Sequence, residues 1–556
     1  MLGVAAWRVR GARRVPSLFV VAPRAIRCHW LFAVLLVAGL AFRILTQVTY
    51  RPALVYIDSD KYLRGFYGQD PLGYRALLWP LQRVGGLGVV AAAQHILGLA
   101  IAFALHGVLR RCGTWRWAAA VASAPVLLDG YQLQAEQTIM PDVMFQALIV
   151  AGLALLLWHR EPTAWLLGAA GLMFGAATMI RQVGEVLVVP AVVFGLVCAA
   201  RWRRGVLHGA VITTSFALPV LACMTAHAAA NGHFAITQRN SYITFYGRVA
   251  VAADCATLRL PPDERALCPS PQVAALGIDL IYPLGPLRKY RPPPGMTTEE
   301  MVERFELAVL RQQPLAVVKS IDHDFVKLFA LTRDQSPGDT PISRWQFQTA
   351  YPTYPPLITL RYVAEVRPGG GTPTIARPLA AALRGYQLHG GYTPGPLLAI
   401  AAIAGLAGAC GVVAPGRARP ALASACVLAA GTALAVVIAA DAFEFSWRYQ
   451  LPALALLPPA GVLGIAALAA QFRFVKARHN GIDLPGHAGR SLIRTPITRH
   501  SATLPDAVVF QIQTSSTGET GAGIALDAER DERVHLLSPS TPTVPTGYAA
   551  AHDAAD

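Results

Sequence analysis

The sequence predicts an all-α polytopic membrane protein of about ten transmembrane helices, with an external, partly helical soluble insertion after the seventh. Three observations carry that prediction. Hydrophobic residues make up 54% and charged residues 14% of the 556 positions, a balance outside the usual range of soluble domains. Apolar runs of about 17 to 25 residues recur, each long enough to cross a hydrocarbon core of roughly 30 Å. Arginines cluster at alternate ends of those runs, the pattern of cytoplasmic anchoring. The net charge of +16 therefore anchors helices rather than forming one basic face, which excludes nucleic acid as the expected partner.

Residues 1–28 form a basic N-terminus with Arg8, Arg10, Arg13, Arg14, Arg24 and Arg27, expected on the cytoplasmic side. The run from Trp30 to Thr46 contains Arg43 and lacks a small-residue cleavage site, so it reads as a retained anchor. The region 29–229 holds segments one to seven. Segment one, about 29–47, delivers Asp58 and Asp60 to the outer face, in a first outer loop at 48–86. A short amphipathic piece near Tyr74 to Val84 is expected along the interface. Segment two, about 87–109, returns to Arg110 and Arg111, and segment three, about 117–130, leads out to Asp129 and Glu136. Segment four follows at about 138–158. Segments five and six, about 164–180 and 183–200, make a hairpin whose outer tip holds Arg181, Gln182 and Glu185. Segment seven, about 206–229, leads into an extracytoplasmic region at 230–393. Segments eight to ten lie at about 394–413, 420–440 and 447–470, with Arg417 and Arg419 inside and Asp441, Glu444 and Arg448 outside. Residues 471–556 are rich in Ser, Thr and Pro without apolar periodicity, and read as a disordered cytoplasmic tail. Both termini are thus expected in the cytoplasm of a multi-pass cell-membrane protein.

This topology brings Asp58, Asp60, Asp129, Glu136, Asp142, Glu185, Asp441 and Glu444 to one side of the membrane. A carboxylate in the middle of a lipid-facing helix costs about 2.5 to 3.5 kcal/mol on insertion scales, so such groups face a cavity or a partner. One outward polar cavity, with Arg181 and Arg448 as partners, accounts for the set. Each residue taken singly has a plainer reading, since helix ends are where charges belong. Asp142, following Pro141, then only caps the start of segment four.

In the insertion, Phe234 to Val249 suggests an extended stretch. Cys255 and Cys268 alone among eight cysteines lie well away from apolar runs. In an oxidising compartment they read as a disulfide, worth about 3 kcal/mol for a loop of that length. Thr297 with Glu300 has the spacing of a capping box, and Met301, Val302, Phe305, Ala308 and Val309 form the apolar stripe of the helix behind it. After Pro314, the residues Val318, Ile321, Phe325 and Leu328 mark a second amphipathic helix. Asp322, His323 and Asp324 are neighbours that point different ways on a helix, which favours a solvated face over a metal cluster. Residues 344–392 are rich in Pro, Gly and Tyr, a loop suited either to cover a site or to lie on the membrane.

Several short motifs carry a family resemblance. They are Asp58-Ser59-Asp60 followed by Pro71-Leu72-Gly73-Tyr74, the large insertion after segment seven, and Ser446-Trp447-Arg448-Tyr449-Gln450-Leu451-Pro452 before the last segment. Over residues 30–470 the chain resembles the GT-C-type glycosyltransferases, which include protein O-mannosyltransferases and aminoarabinose transferases. Phe245-Tyr246-Gly247-Arg248, with Asp254-Cys255 and Leu267-Cys268-Pro269, resembles an actinobacterial membrane branch of that group.

The resemblance implies inverting transfer of a sugar from a polyprenyl-phosphate donor to a glycan, lipid or protein acceptor, with the lipid tail in a groove between spans. Asp58 or Asp60 would be the base, its pKa raised by desolvation. Arg181, Arg448 and Tyr449 would bind the donor phosphate, supported by Glu136, Glu444 and Tyr74. A divalent cation such as Mg2+ or Mn2+ would sit on Asp60 and Glu136. The competing expectations are a secondary transporter, which calls for an internal repeat and mid-membrane charges, and a non-enzymatic membrane scaffold with an external domain.

Overall fold

The structure, a computed structural model, describes residues 28–63, 71–159, 161–199, 201–232, 234–237, 242–336, 338–355, 358–366, 372–411 and 420–479. All of them belong to a unit spanning Met1–Gly486, whereas the unit His487–Asp556 lies outside the described residues. The expectations for the basic N-terminus, Arg417, Arg419 and most of the tail therefore fall outside them as well.

Five helices are long and apolar enough to cross a membrane: Trp30–Thr49, Arg75–Arg111, Trp202–Ala229, Ala421–Phe443 and Leu451–Phe474. They make the chain a membrane protein. The other five expected segments coincide with shorter apolar helices, Arg116–Leu128, Asp142–Leu157, Ala164–Ile180, Gln182–Cys198 and Gly395–Cys410. The interfacial piece before segment two is continuous with it in the Arg75–Arg111 helix, but Gly85 and Gly86 break the helical path. Gly86 has φ 70°, a conformation open to glycine at little cost. The amphipathic turn can thus lie at an angle to the apolar helix that follows.

Between the third and fourth segments the chain adds a helix not expected from the sequence, Gly130–Gln137, all eight residues of which are buried. Asp129 caps it, its carboxylate accepting a hydrogen bond from the Tyr131 amide at 3.0 Å. A short sheet pairs Tyr50–Arg51 antiparallel with Thr374–Ile375, tying the start of the first loop to the end of the insertion.

The insertion is helical where its sequence is periodic. The capping box is present, with the Thr297 hydroxyl accepting from the Glu300 amide at 3.2 Å and the Glu300 carboxylate from the Thr297 amide at 2.9 Å. Met301, Val302, Phe305 and Val309 are buried as that stripe requires. Cys255 and Cys268 are joined in a disulfide. The expected extended stretch is corrected: Tyr242–Ala252 is a helix. Its aromatic and β-branched content suits a strand, yet Tyr246, Val249 and Ala250 repeat at helical spacing and pack with Phe305 in one core, and packing decides over propensity.

The Asp322–Asp324 expectation is half right. Asp322 and His323 are exposed, whereas Asp324 is buried and paired with Arg248 and Lys327. Arg248 also donates to the Asp441 carbonyl at 2.7 Å, so these charges join the insertion to the helix Pro420–Phe443 rather than facing solvent.

Candidate active site

The first loop is built as a ledge on the buried Gly130–Gln137 turn. Leu54 exchanges backbone hydrogen bonds with the strand-like exit of that turn, its amide donating to the Gln137 carbonyl and its carbonyl accepting from the Ile139 amide, each at 2.9 Å. Ser59 closes the ledge. Its hydroxyl donates to the Ile139 carbonyl at 2.8 Å and accepts from the Tyr56 amide at 2.9 Å. Fixing the middle residue of Asp58-Ser59-Asp60 inward sends the two flanking carboxylates to different neighbours.

Asp58 faces a cavity of about 300 Å³ lined by residues from five stretches of the chain, among them Lys61, Arg181, Asp279, Glu444 and Arg448. Arg448 is 7% exposed and donates to Asp58 at 2.9 Å and to the Tyr449 hydroxyl at 2.9 Å. Its guanidinium lies over the Tyr449 ring at 4.6 Å and the Trp345 ring at 5.0 Å, contacts that hold a planar cation in place. Lys61 reaches Asp58 at 3.3 Å from the other side. Arg181 pairs with Asp142 and lies 4.5 Å over the Tyr449 ring as well. The Ser446 hydroxyl, 2% exposed and at the cavity wall, has no hydrogen-bond partner among the described residues.

The electrostatics bear on one expectation. Burial works against the Asp58 charge, but Lys61 and Arg448 together hold its carboxyl down at about 2. The raised pKa expected here from burial alone is therefore offset by the two neighbouring cations, with which Asp58 is ion-paired. Asp60 has a different neighbour. It accepts a hydrogen bond from the Tyr362 hydroxyl and is not among the residues lining the cavity.

Glu444 does line the cavity, accepting from the Thr340 hydroxyl at 2.7 Å. Burial and the neighbouring Asp279 carboxylate push its pKa up to about 8.

The supporting residues divide. Tyr74 is fully buried and donates to Gln94 at 2.7 Å, away from the cavity wall. Glu136 is fully buried, one oxygen held by Arg43 at 2.7 Å and Gln132 at 3.1 Å, the other by His95 at 2.9 Å. Asp60 and Glu136 thus have separate partners, and among the described residues no group of three or more His, Cys, Asp or Glu is placed to hold a metal ion. The donor set does not fit the cation expected on that pair.

The expected single vestibule for eight carboxylates is likewise narrower than the sequence suggests. Of the eight, Asp58 and Glu444 line the cavity, Asp142 supports it through Arg181, Asp129 is clamped by Arg333 at 2.7 Å, Asp441 is buried on Gln450 at 2.6 Å, and Glu185 is exposed.

Sequence reasoning missed Asp279, Tyr282, Thr340 and Trp345, all from the insertion and all at the cavity wall. Nothing in their spacing signals it, because they come together only when the insertion folds back over the first loop. A second, apolar groove of about 450 Å³ runs between the helices Arg116–Leu128, Gly395–Cys410 and Leu451–His479, lined by Pro125, Leu128, Leu397, Pro458 and Ile465 and ending at Asp129.

No protein-family model matches the sequence, and no curated protein matches it. Among solved structures the chain is similar to the oligosaccharyltransferase AglB of Archaeoglobus fulgidus in complex with an inhibitory peptide and a dolichol-phosphate, at 14% identity and a TM-score of 0.40 over 84% of this chain and 53% of that one. The chain thus spans about half the length of the archaeal protein. It is also similar to ArnT of Cupriavidus metallidurans bound to undecaprenyl phosphate, at 15% identity and a TM-score of 0.28 over 83% of this chain and 80% of that one.

Proposed function

We propose that the protein is a membrane glycosyltransferase that moves a sugar from a polyprenyl-phosphate donor to an acceptor at the extracytoplasmic ends of its spans. The observation that carries this reading is the cavity in which Arg448, Arg181 and Lys61 converge at the helix ends beside Asp58 and Tyr449. A leaving lipid phosphate needs positive charge fixed in advance where its own charge develops. Buried guanidinium groups held by aromatic faces supply that charge with little reorganisation.

In this reading Arg448 and Arg181 receive the phosphate. Asp58 anchors Arg448 and Lys61 so that neither collapses onto the other carboxylates, and Tyr449 spaces the two arginines. The apolar groove between the spans offers room for a hydrocarbon chain. The ten-segment topology with both termini inside, and the placement of 230–393 outside, belong to the same proposal.

The test is sugar transfer by the purified protein in liposomes, using undecaprenyl-phosphate-linked sugars and extracts of the native envelope as acceptor. Wild type is expected to release undecaprenyl phosphate, and Asp58→Ala and Arg448→Ala to lose that release while remaining folded. Full release by both variants would refute the placement of the donor phosphate.

A further inference from the structure

Resting on the function just proposed, we infer that Asp279 is the group that takes the proton from the acceptor hydroxyl, with Glu444 as its proton-sharing partner. The two carboxyl groups line the same cavity, and after burial the neighbouring Asp279 is the largest cause of the raised Glu444 pKa. Two neighbouring carboxyls cannot both carry charge cheaply, so one keeps a proton and the other stays an acceptor.

Their surroundings assign the roles. Glu444 is the deeper member, fixed by the Thr340 hydroxyl at 2.7 Å and facing Tyr282, Tyr449 and Arg448. Asp279 is the open member, its side chain 32% exposed and its far oxygen 3.4 Å from Arg344. An acceptor approaching from water meets Asp279 first. Asp58, the third carboxylate of the cavity, is committed to Arg448 and Lys61. Ser446 lines the same cavity, and its buried hydroxyl, with no partner among the described residues, can hydrogen-bond a sugar placed there.

The step balances as follows. The acceptor O–H bond breaks, its proton passes to the Asp279 carboxylate, and the oxygen's electron pair forms the new bond to the anomeric carbon. The bond from that carbon to the phosphate oxygen breaks, and its electron pair leaves with the lipid phosphate beside Arg448 and Arg181. Loss of the shared proton, centred near the Glu444 value of about 8, puts two charges on the pair and repels the donor phosphate. Transfer is therefore expected to decline above that pH.

The experiment combines turnover against pH, undecaprenyl phosphate binding and the infrared band of protonated carboxyls, in wild type, Asp279→Asn and Glu444→Gln. Asp279→Asn is expected to lose turnover by about 100-fold or more while binding undecaprenyl phosphate like wild type. Formate is expected to restore part of the turnover of Asp279→Ala. Glu444→Gln is expected to lose the alkaline decline and the carboxyl band that titrates near that pH, and to keep more turnover than Asp279→Asn. Full turnover in Asp279→Asn, a turnover loss that follows lost lipid-phosphate binding, or absence of the titrating band overturns the assignment. If wild type itself neither binds undecaprenyl phosphate nor transfers sugar, the function reading falls and the base role falls with it, while the band still reports whether the pair shares a proton.

Discussion

Two clusters of buried charge in this protein look alike in composition and differ in what they leave open. Around Arg43, in the first helix, both terminal guanidinium nitrogens and both oxygens of Glu136 are taken up, and neither residue lines the Arg448 cavity or the apolar groove. One guanidinium nitrogen donates to the Gly39 and Leu127 carbonyls, and the other to the Val126 carbonyl and Glu136, while His95 holds the second oxygen of Glu136 and donates or accepts at Gln137. Around Arg448 the charges are paired too, yet they form the wall of a cavity, and a buried hydroxyl beside them is unmatched. Burial of a charge in a membrane protein therefore does not mark a site by itself. What distinguishes the second cluster is charge held at a wall with space in front of it.

The contrast is sharpened first by removing Glu136. Taking one partner out of a closed, buried pair typically costs about 3 to 5 kcal/mol, so Glu136→Ala is expected to lower thermal stability in detergent severely and to lose activity only in proportion to folded protein. A well-folded Glu136→Ala protein with no transfer would move Glu136 into the site and break the distinction. Next in size is the disulfide. Reduction of Cys255–Cys268 is expected to cost the insertion about 3 kcal/mol, read as earlier unfolding of that region by hydrogen exchange, with the span helices unchanged. Thr297→Ala, which removes one half of the capping box, is expected to cost about 1 kcal/mol by the same readout.

A further effect is a pH signature of the open cluster. The folded pKa of Asp58 is depressed to about 2, against roughly 3.9 for a free aspartate. Its contribution to stability is therefore present above about pH 4 and is lost as pH falls from there toward 2. Asp58→Asn is expected to flatten that part of the stability curve. An unchanged acid limb in the variant would mean that Asp58 is not the partner of Lys61 and Arg448.

The spans were legible because membrane insertion imposes a simple code: runs of apolar residues such as Trp30–Thr49, with arginines at their ends, have few alternative placements. Asp58, Arg181, Glu444, Arg448 and Tyr449, which the segment pattern puts at one end of the spans, all line the cavity. What lay hidden was direction. Glu136 and Asp58 both sit at helix ends, but Glu136 belongs to a turn buried on every side, and its sequence Gly-Tyr-Gln-Leu-Gln-Ala-Glu-Gln has no apolar face to announce that burial. Which way Asp58 and Asp60 point depends on Ser59 meeting the Ile139 carbonyl, a contact made across the fold. The residues contributed by the insertion, Asp279 above all, join the site through tertiary packing that no local pattern encodes.

The most direct test is undecaprenyl phosphate binding to wild type, Arg448→Ala and Arg361→Ala in detergent micelles. Arg361 serves as the control because its side chain is 89% exposed and pairs with Glu365 on its own helix. Truncating one partner of a buried, hydrogen-bonded charge pair costs about 2 to 5 kcal/mol in binding, so Arg448→Ala is expected to bind at least about thirtyfold more weakly while Arg361→Ala matches wild type. Equal affinity in all three proteins would contradict the claim that the Arg448 cavity receives a lipid phosphate.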